Sequence, residues 1–184
     1  GCSREAQITY WDRIYITTLF TWTWNETIRT IKFYRDTIFN LAGKCFIGGI
    51  LATLMRKELC DATGVRNIVE GLLDDPSKID QDDDVIIDSL PPDYEILKQV
   101  EKNNFRYSNT DAYVGYSTRG WVRNCKYCAV KKLEPKFIPY IDIKKFIEEV
   151  NNSTGPKQNL LLMDNNVLAS PKYDQIIDDI KAVG

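Results

Sequence analysis

Histidine is absent from all 184 residues. The omission removes Ser-His-Asp and Cys-His relays, the common zinc-hydrolase ligand sets and the most used general base, so imidazole has no part in what this chain does. No apolar run approaches the ~20 residues of a membrane-spanning helix. Gly1, Cys2, Ser3, Arg4 and Glu5 have no apolar signal core behind them. Lys and Arg are spread along the chain and the net charge is −2. That distribution leaves no footprint for a phosphate backbone, and neither nucleic acid nor membrane is expected as a partner. Cysteine numbers five, an odd count without framework spacing, which suits a reducing cytosol better than a disulfide scaffold; the expected location is cytoplasmic. With 43% hydrophobic and 27% charged residues, disorder and fibres are excluded, and one substantial core or two small ones are affordable.

What is present has an α/β rhythm. Residues 13 to 20 form a continuous β-branched and aromatic run, as in a parallel strand covered on both faces. Asn25 is placed to cap a helix whose apolar face is Ile28, Ile31, Tyr34, Ile38 and Leu41, with Gly43 as its stop. A second strand, residues 44 to 47, runs into Gly48 and Gly49, and residues 51 to 60 read as a helix ending near Gly64. This is the β-α-β-α order of a doubly wound parallel unit. Residues 67 to 73 suggest a further strand. The acidic run at Asp80, Asp82, Asp83 and Asp84 reads as an exposed turn, since it lacks the Gly and Glu of a calcium loop. Pro91, Pro92 and the polar stretch 101 to 104 mark a linker, with the boundary near residue 105.

A second rhythm begins with a strand at residues 112 to 116. A helix over 143 to 150 follows, capped by Asp142, then a buried strand at 159 to 163 and a last amphipathic helix carrying Tyr173, Ile176, Ile177 and Ile180. The residues from Tyr113 to the end suffice for two strand-helix units, far short of a complete barrel. The chain is therefore expected to be a fragment or a truncated relative of something longer. Its exposed strand edge would pair in a homodimer or be shielded by the first domain.

Between the first strand and helix of this second half stands the run Gly115-Tyr116-Ser117-Thr118-Arg119-Gly120-Trp121-Val122-Arg123-Asn124-Cys125-Lys126-Tyr127-Cys128. By itself the C-x2-C of Cys125 and Cys128 reads as part of an iron-sulfur loop, as a zinc half-site or as two buried thiols. In its setting the loop resembles that of the radical S-adenosylmethionine (SAM) proteins, where three cysteines spaced C-x3-C-x2-C hold a 4Fe-4S cluster and leave one iron for SAM. Gly120 stands before the first ligand position and Tyr127 before the last. The first ligand position itself is Trp121, which cannot bind iron, as in a recent lesion or a non-catalytic relative.

The resemblance implies that Cys125 and Cys128 are metal ligands, that Tyr127 lies against the adenine of SAM, and that the open iron chelates its methionine end. It implies that Asp164, Asn165 and Asn166, at the end of the next strand, receive the amino group. Read from the residues alone, those three form a polar strand-to-helix turn equally well. Lys131 and Lys132 would hold SAM's carboxylate or be solvated. The first half resembles the cobalamin-binding type of Rossmann domain that precedes many radical SAM barrels. Thr17 and Leu19 stand where that family has Ser-x-Leu, and Gly48 and Gly49 stand at its Gly pair; a tight turn is the alternative for the glycines. The family's Asp-x-His-x-x-Gly segment is absent; cobalamin is the cofactor that the resemblance of this half implies. Trp22 and Trp24 would floor a ligand pocket or pack on the core.

The expectation is thus an α/β protein: a parallel-sheet, cobalamin-binding-like domain over residues 1–105, then the first two β-α units of a partial TIM-type barrel over 106–184. The parent reaction is reductive cleavage of SAM to a 5'-deoxyadenosyl radical that abstracts a substrate hydrogen. With Trp121 at a ligand position, little or no turnover is expected, and the substrate is unknown. The rival expectation is a non-catalytic α/β module that binds a ligand or partner through its first domain, with buried or zinc-holding cysteines.

Overall fold

A computed structural model describes residues 11–37, 45–82, 84–96 and 111–183, which fall into two compact units. The expected helix residues Ile38 and Leu41, the stop at Gly43, Lys44 of the second strand, Asp83, the linker stretch 101 to 104 and the boundary near 105 lie outside the described residues. The first unit comprises residues 1–88 with 127–133, and the second 89–126 with 134–184.

In the first unit, β1 (Ile14–Thr18) and β2 (Cys45–Gly49) pair in parallel, with Tyr15 opposite Phe46 and Thr17 opposite Gly48. Side chains alternate across the strands, so Ile14, Ile16, Cys45 and Ile47 take one face and join a core with Ile31, Leu51, Ala52, Leu59, Val65 and Ile68. The helices that cover this face are α1 (Trp24–Thr37), α2 (Ile50–Leu54) and α3 (Arg56–Thr63). A short 3-10 turn at Thr21–Thr23 runs directly into α1. Asn25 therefore sits inside the first turn instead of capping it. The helix expected over residues 51 to 60 is broken at Met55, whose φ of −131° and ψ of 41° leave the helical region, and the second piece ends on left-handed Gly64.

Residues 67 to 73 contribute one parallel bridge, Ile47 to Ile68, in place of a full strand. Left-handed Gly71 turns the chain away, with its N–H donated to Thr53 Oγ1 at 2.9 Å. The following segment is stitched down by Arg13, which donates to the carbonyls of Ile79 and Asp80 at 2.6 and 3.0 Å. Asp75 caps a short 3-10 turn at Pro76–Ile79 by accepting from Ser77 N.

In the second unit, β3 (Ala112–Gly115) pairs in parallel with β6 (Asn159–Leu162). Between them lie β4 (Thr118–Arg119), β5 (Ile138–Pro139) and α5 (Ile143–Thr154); α6 (Tyr173–Val183) follows β6. Asp142 caps α5 by accepting from Lys145 N at 3.1 Å. The core of this unit joins Ile143, Phe146, Ile147 and Val150 of α5, Ile176 of α6, Tyr113 of β3 and Tyr94. Tyr94 belongs to the stretch expected as linker, yet it is buried and its hydroxyl accepts from Val114 N at 3.0 Å. Part of the exposed edge of β3 is satisfied in this way. The helix α4 (Val130–Leu133) falls in the cysteine loop and groups with the first unit. Both units are small parallel α/β arrangements, and no helix among the described residues is long and apolar enough to cross a membrane.

Candidate functional site

The cysteine loop leaves the carboxyl end of β3, and the 164–166 segment leaves the carboxyl end of β6. These two strands are neighbours, so both segments emerge on the edge where α/β folds bind ligands. Asp164 joins them. Its carboxylate accepts from Ser117 N at 3.0 Å, from Ser117 Oγ at 2.8 Å, and from both the N–H and the hydroxyl of Thr118. Ser117 and Thr118 are each 1% exposed, so these donors are lost to water and Asp164 is what satisfies them. Four donors occupy most of what a carboxylate can accept. Asp164 is thereby committed to holding the start of the loop. Asn165 donates its amide to Gly120 O at 3.1 Å, a second tie to the same loop, while Asn166 precedes the short 3-10 turn Val167–Ala169 without capping it through its side chain.

The base of the loop is closed by a two-residue antiparallel pairing of β4 with β5 and by a buried ion pair. Arg119 Nη1 lies 3.1 Å from Glu134 Oε1, with the two side chains only 10% and 13% exposed. The other carboxylate oxygen of Glu134 accepts from Gly120 N at 2.6 Å. The Arg119 guanidinium lies 3.6 Å from the ring centre of Tyr116 and 5.1 Å from that of Tyr140, a cation held between aromatic faces. Gly120 has φ of +87°, and a Cβ there would fall 2.1 Å from the carbonyl oxygen of Lys136. Only glycine fits, which gives the residue before Trp121 a steric reason of its own.

Beyond Gly120 the loop is open to solvent. Trp121, Cys125 and Cys128 are half-buried, Tyr127 is 95% exposed, and neither cysteine is in a disulfide. Cys125 falls in the second unit and Cys128 in the first. Lys131 is half-buried and Lys132 exposed. The fit to a cluster with one open iron is poor: that centre takes three thiolates from its protein. No group of three or more Cys, Asp or Glu able to hold a metal ion occurs among the described residues. Cys45 is buried in the first core and Cys60 packs against that core, while Cys2 lies outside the described residues. Burial pushes the Cys45 thiol up from 9.0 to about 11, against a smaller opposing pull from the Arg35 cation, so it is no thiolate near neutral pH.

The second candidate site is on the first unit. Tyr15, Thr17, Phe46 and Gly48 share the sheet face opposite the helices. A cleft of about 490 Å³ opens on that face, walled by Tyr15, Thr17, Phe46, Gly48, Gly49 and Leu72. Three of the expected ligand-binding residues, Thr17, Gly48 and Gly49, are thus brought together, whereas Leu19 lies past the strand end, 51% exposed, and does not line the cleft. A Cβ on Gly48 would meet only Val69, at 3.9 Å. Gly49 is different: its φ is +98° and a Cβ would fall 2.2 Å from the carbonyl oxygen of Thr18. Thr18 secures the turn by donating to Gly48 O at 2.8 Å and accepting from Ala52 N at 3.0 Å. Trp24 packs against the core, and Trp22, 77% exposed, stacks on Phe20 at 4.3 Å; neither lines the cleft.

Sequence patterns miss three residues that organise these sites: Arg119, Glu134 and Thr18. Their roles depend on partners 15 to 34 residues away, and no short motif encodes such pairs. No protein-family model matches this chain, and no curated protein or solved structure matches it either.

Proposed function

We propose that this chain is a radical SAM-type protein, a cobalamin-binding-like α/β domain followed by the first two β-α units of a partial TIM-type barrel, in which cluster chemistry is impaired. Cys125 and Cys128 act as metal thiolates, Trp121 stands at the first of the three ligand positions, and Tyr127 offers an exposed ring for stacking on adenine. Asn165 and Asn166 provide amide groups for the methionine end of SAM, next to an Asp164 already engaged with Ser117 and Thr118. The observation that supports this reading best is that the cysteine loop and the 164–166 segment leave adjacent parallel strands and are tied together through Asp164.

The test is anaerobic purification with iron and sulfide analysis, followed by a SAM-cleavage assay under strong reduction. Cys125→Ser and Cys128→Ser should each abolish iron uptake, and the unaltered chain should release no 5'-deoxyadenosine above background. Iron uptake that survives both substitutions would remove the ligand assignment. Robust SAM cleavage would remove the claim of impairment.

A second reading, a non-catalytic module that binds a flat ligand such as cobalamin or a nucleotide through its first unit, is favoured by the cleft beside Thr17, Gly48 and Gly49. Gly48→Val projects an isopropyl group into that cleft, since a Cβ there meets only Val69 and at ordinary contact distance. Calorimetry with cobalamin and with adenine nucleotides should show affinity reduced at least ~10-fold by the substitution, about 1.4 kcal/mol. Equal affinities, or no binding by either form, would argue against a ligand there.

A further inference from the structure

We infer that the sheet-face cleft of the first unit takes an uncharged, planar aromatic molecule and turns away anionic ones. This rests on the second reading above, that the cleft binds a ligand, and narrows that ligand to one chemical class.

The cleft lies wholly within the first unit. A parallel sheet is ordinarily covered on both faces. Here one face packs on the helices, and the opposite one is met by the segment from Gly71 to Ile79, which brings Leu72, Leu73 and Ile79 to the cleft. That segment is fastened at both ends. Gly71 N donates to Thr53 Oγ1 at 2.9 Å, and Arg13 donates to the carbonyls of Ile79 and Asp80 at 2.6 and 3.0 Å. The walls therefore stand in place before any ligand arrives, which spares binding much of its ordering cost. Its volume of about 490 Å³ falls inside the ~300–1,000 Å³ range of small-molecule sites.

Charge selects the class. Among the described residues the lining carries no Asp, Glu, Lys or Arg, and its polar side chains are the hydroxyls of Tyr15 and Thr17. Two cations adjoin the covering segment and both are engaged: Arg13 on the Ile79 and Asp80 carbonyls, and Lys78 on Leu72 O at 2.8 Å and on Asp74. A phosphate or carboxylate entering the cleft would shed its water with no counter-charge to meet it. Shape selects the ring. Tyr15 and Phe46, opposite each other across the strands, stack with ring centres 5.5 Å apart and planes 20° apart. In the next row on the same face Thr17 faces Gly48, where no side chain rises and a Cβ would meet only Val69, at 3.9 Å. Two near-parallel rings beside a bare glycine step make a flat-sided slot, from which a stacking ring gains more than a flexible acyl chain does. Tyr15 is 53% exposed, so a ring laid against it removes aromatic surface from water. The two hydroxyls serve polar atoms on the rim of such a ligand.

The measurement is fluorescence titration of the full chain with 1-aminoanthracene, an uncharged planar probe, followed by competition with anthracene-1-sulfonate, AMP, cobalamin and dodecanol. The neutral probe should bind at least ~10-fold more tightly than the sulfonate, AMP or cobalamin, and more tightly than dodecanol. Gly48→Val and Tyr15→Ala should each weaken it by ~10-fold. Trp22→Ala, which removes an exposed ring outside the cleft, should leave it unchanged. Leu72→Lys sets a cation in the wall, so affinity for the sulfonate should rise and the preference for the neutral probe should shrink. Should far-ultraviolet circular dichroism show Gly48→Val unfolded, Tyr15→Ala and Leu72→Lys, both away from backbone constraint, carry the test. Sulfonate, AMP or cobalamin bound as tightly as the neutral probe, and weakened by Gly48→Val or Tyr15→Ala, keeps the cleft as a ligand site and overturns the uncharged class. Dodecanol bound as tightly as the probe overturns the aromatic class and likewise keeps the site. Probe binding that depends on Trp22, or a Leu72→Lys chain with no gain for the sulfonate, also overturns the inference. If no ligand responds to the cleft substitutions, the second reading falls with it.

Discussion

At the residue scale, backbone sterics set firmer limits than side-chain chemistry. Gly49→Ala and Gly120→Ala each place a Cβ within 2.2 Å of a carbonyl oxygen at positive φ. Each substitution should cost on the order of 2–4 kcal/mol of stability, read as a lower urea midpoint, whereas Gly48→Val should cost far less. Asp164→Ala removes four hydrogen bonds from Ser117 and Thr118 and leaves their buried donors without that acceptor. The expected loss is about 3 kcal/mol, with faster amide exchange at residues 117 and 118. Cys45 gives a pH signature. Its folded thiol is raised to about 11 from 9.0 by burial, so the unfolded chain loses the proton first as pH rises. Stability from this group is therefore full below pH ~9 and falls as pH climbs toward ~11. Cys45→Ala should flatten that decline, and alkylation at pH 8 should label Cys125 and Cys128 while sparing Cys45.

At the element scale, the strands and helices with continuous or 3.6-residue apolar patterns were legible from sequence: β1, β2, β3, β6, α5 and α6 all fall where composition predicts them. Patterns of that kind report burial, and burial is what fixes these elements. The unread elements depend on distant partners. Thr118–Arg119 and Ile138–Pro139 are too short to carry a period and exist because they close the base of the cysteine loop. Met55 interrupts an otherwise helical stretch through a backbone conformation that no composition rule marks. The loop base also supplies a prediction. Glu134→Ala would leave the Arg119 cation buried with its carboxylate partner removed and Gly120 N without that acceptor. It should cost about 3 kcal/mol and raise limited proteolysis within residues 121–133 several-fold over the unaltered chain.

At the scale of the whole molecule, two small α/β units differ in what they present: an apolar cleft on the first, and on the second the strand ends where Asp164 holds the start of the cysteine loop. The α/β class was readable because the order of strands and helices is local information. Which groups converge was only partly readable: Thr17, Gly48 and Gly49 do meet, and Asp164 meets the loop, but as its anchor. The proposed function depends on Cys125 and Cys128 being metal thiolates in a loop whose first ligand position is held by Trp121. Electron paramagnetic resonance of the Trp121→Cys chain, reconstituted anaerobically with iron and sulfide and then reduced, tests this most directly. The account predicts a 4Fe-4S signal of about one cluster per chain that shifts on addition of SAM; a spectrum no different from that of the unaltered chain, with no response to SAM, would contradict it.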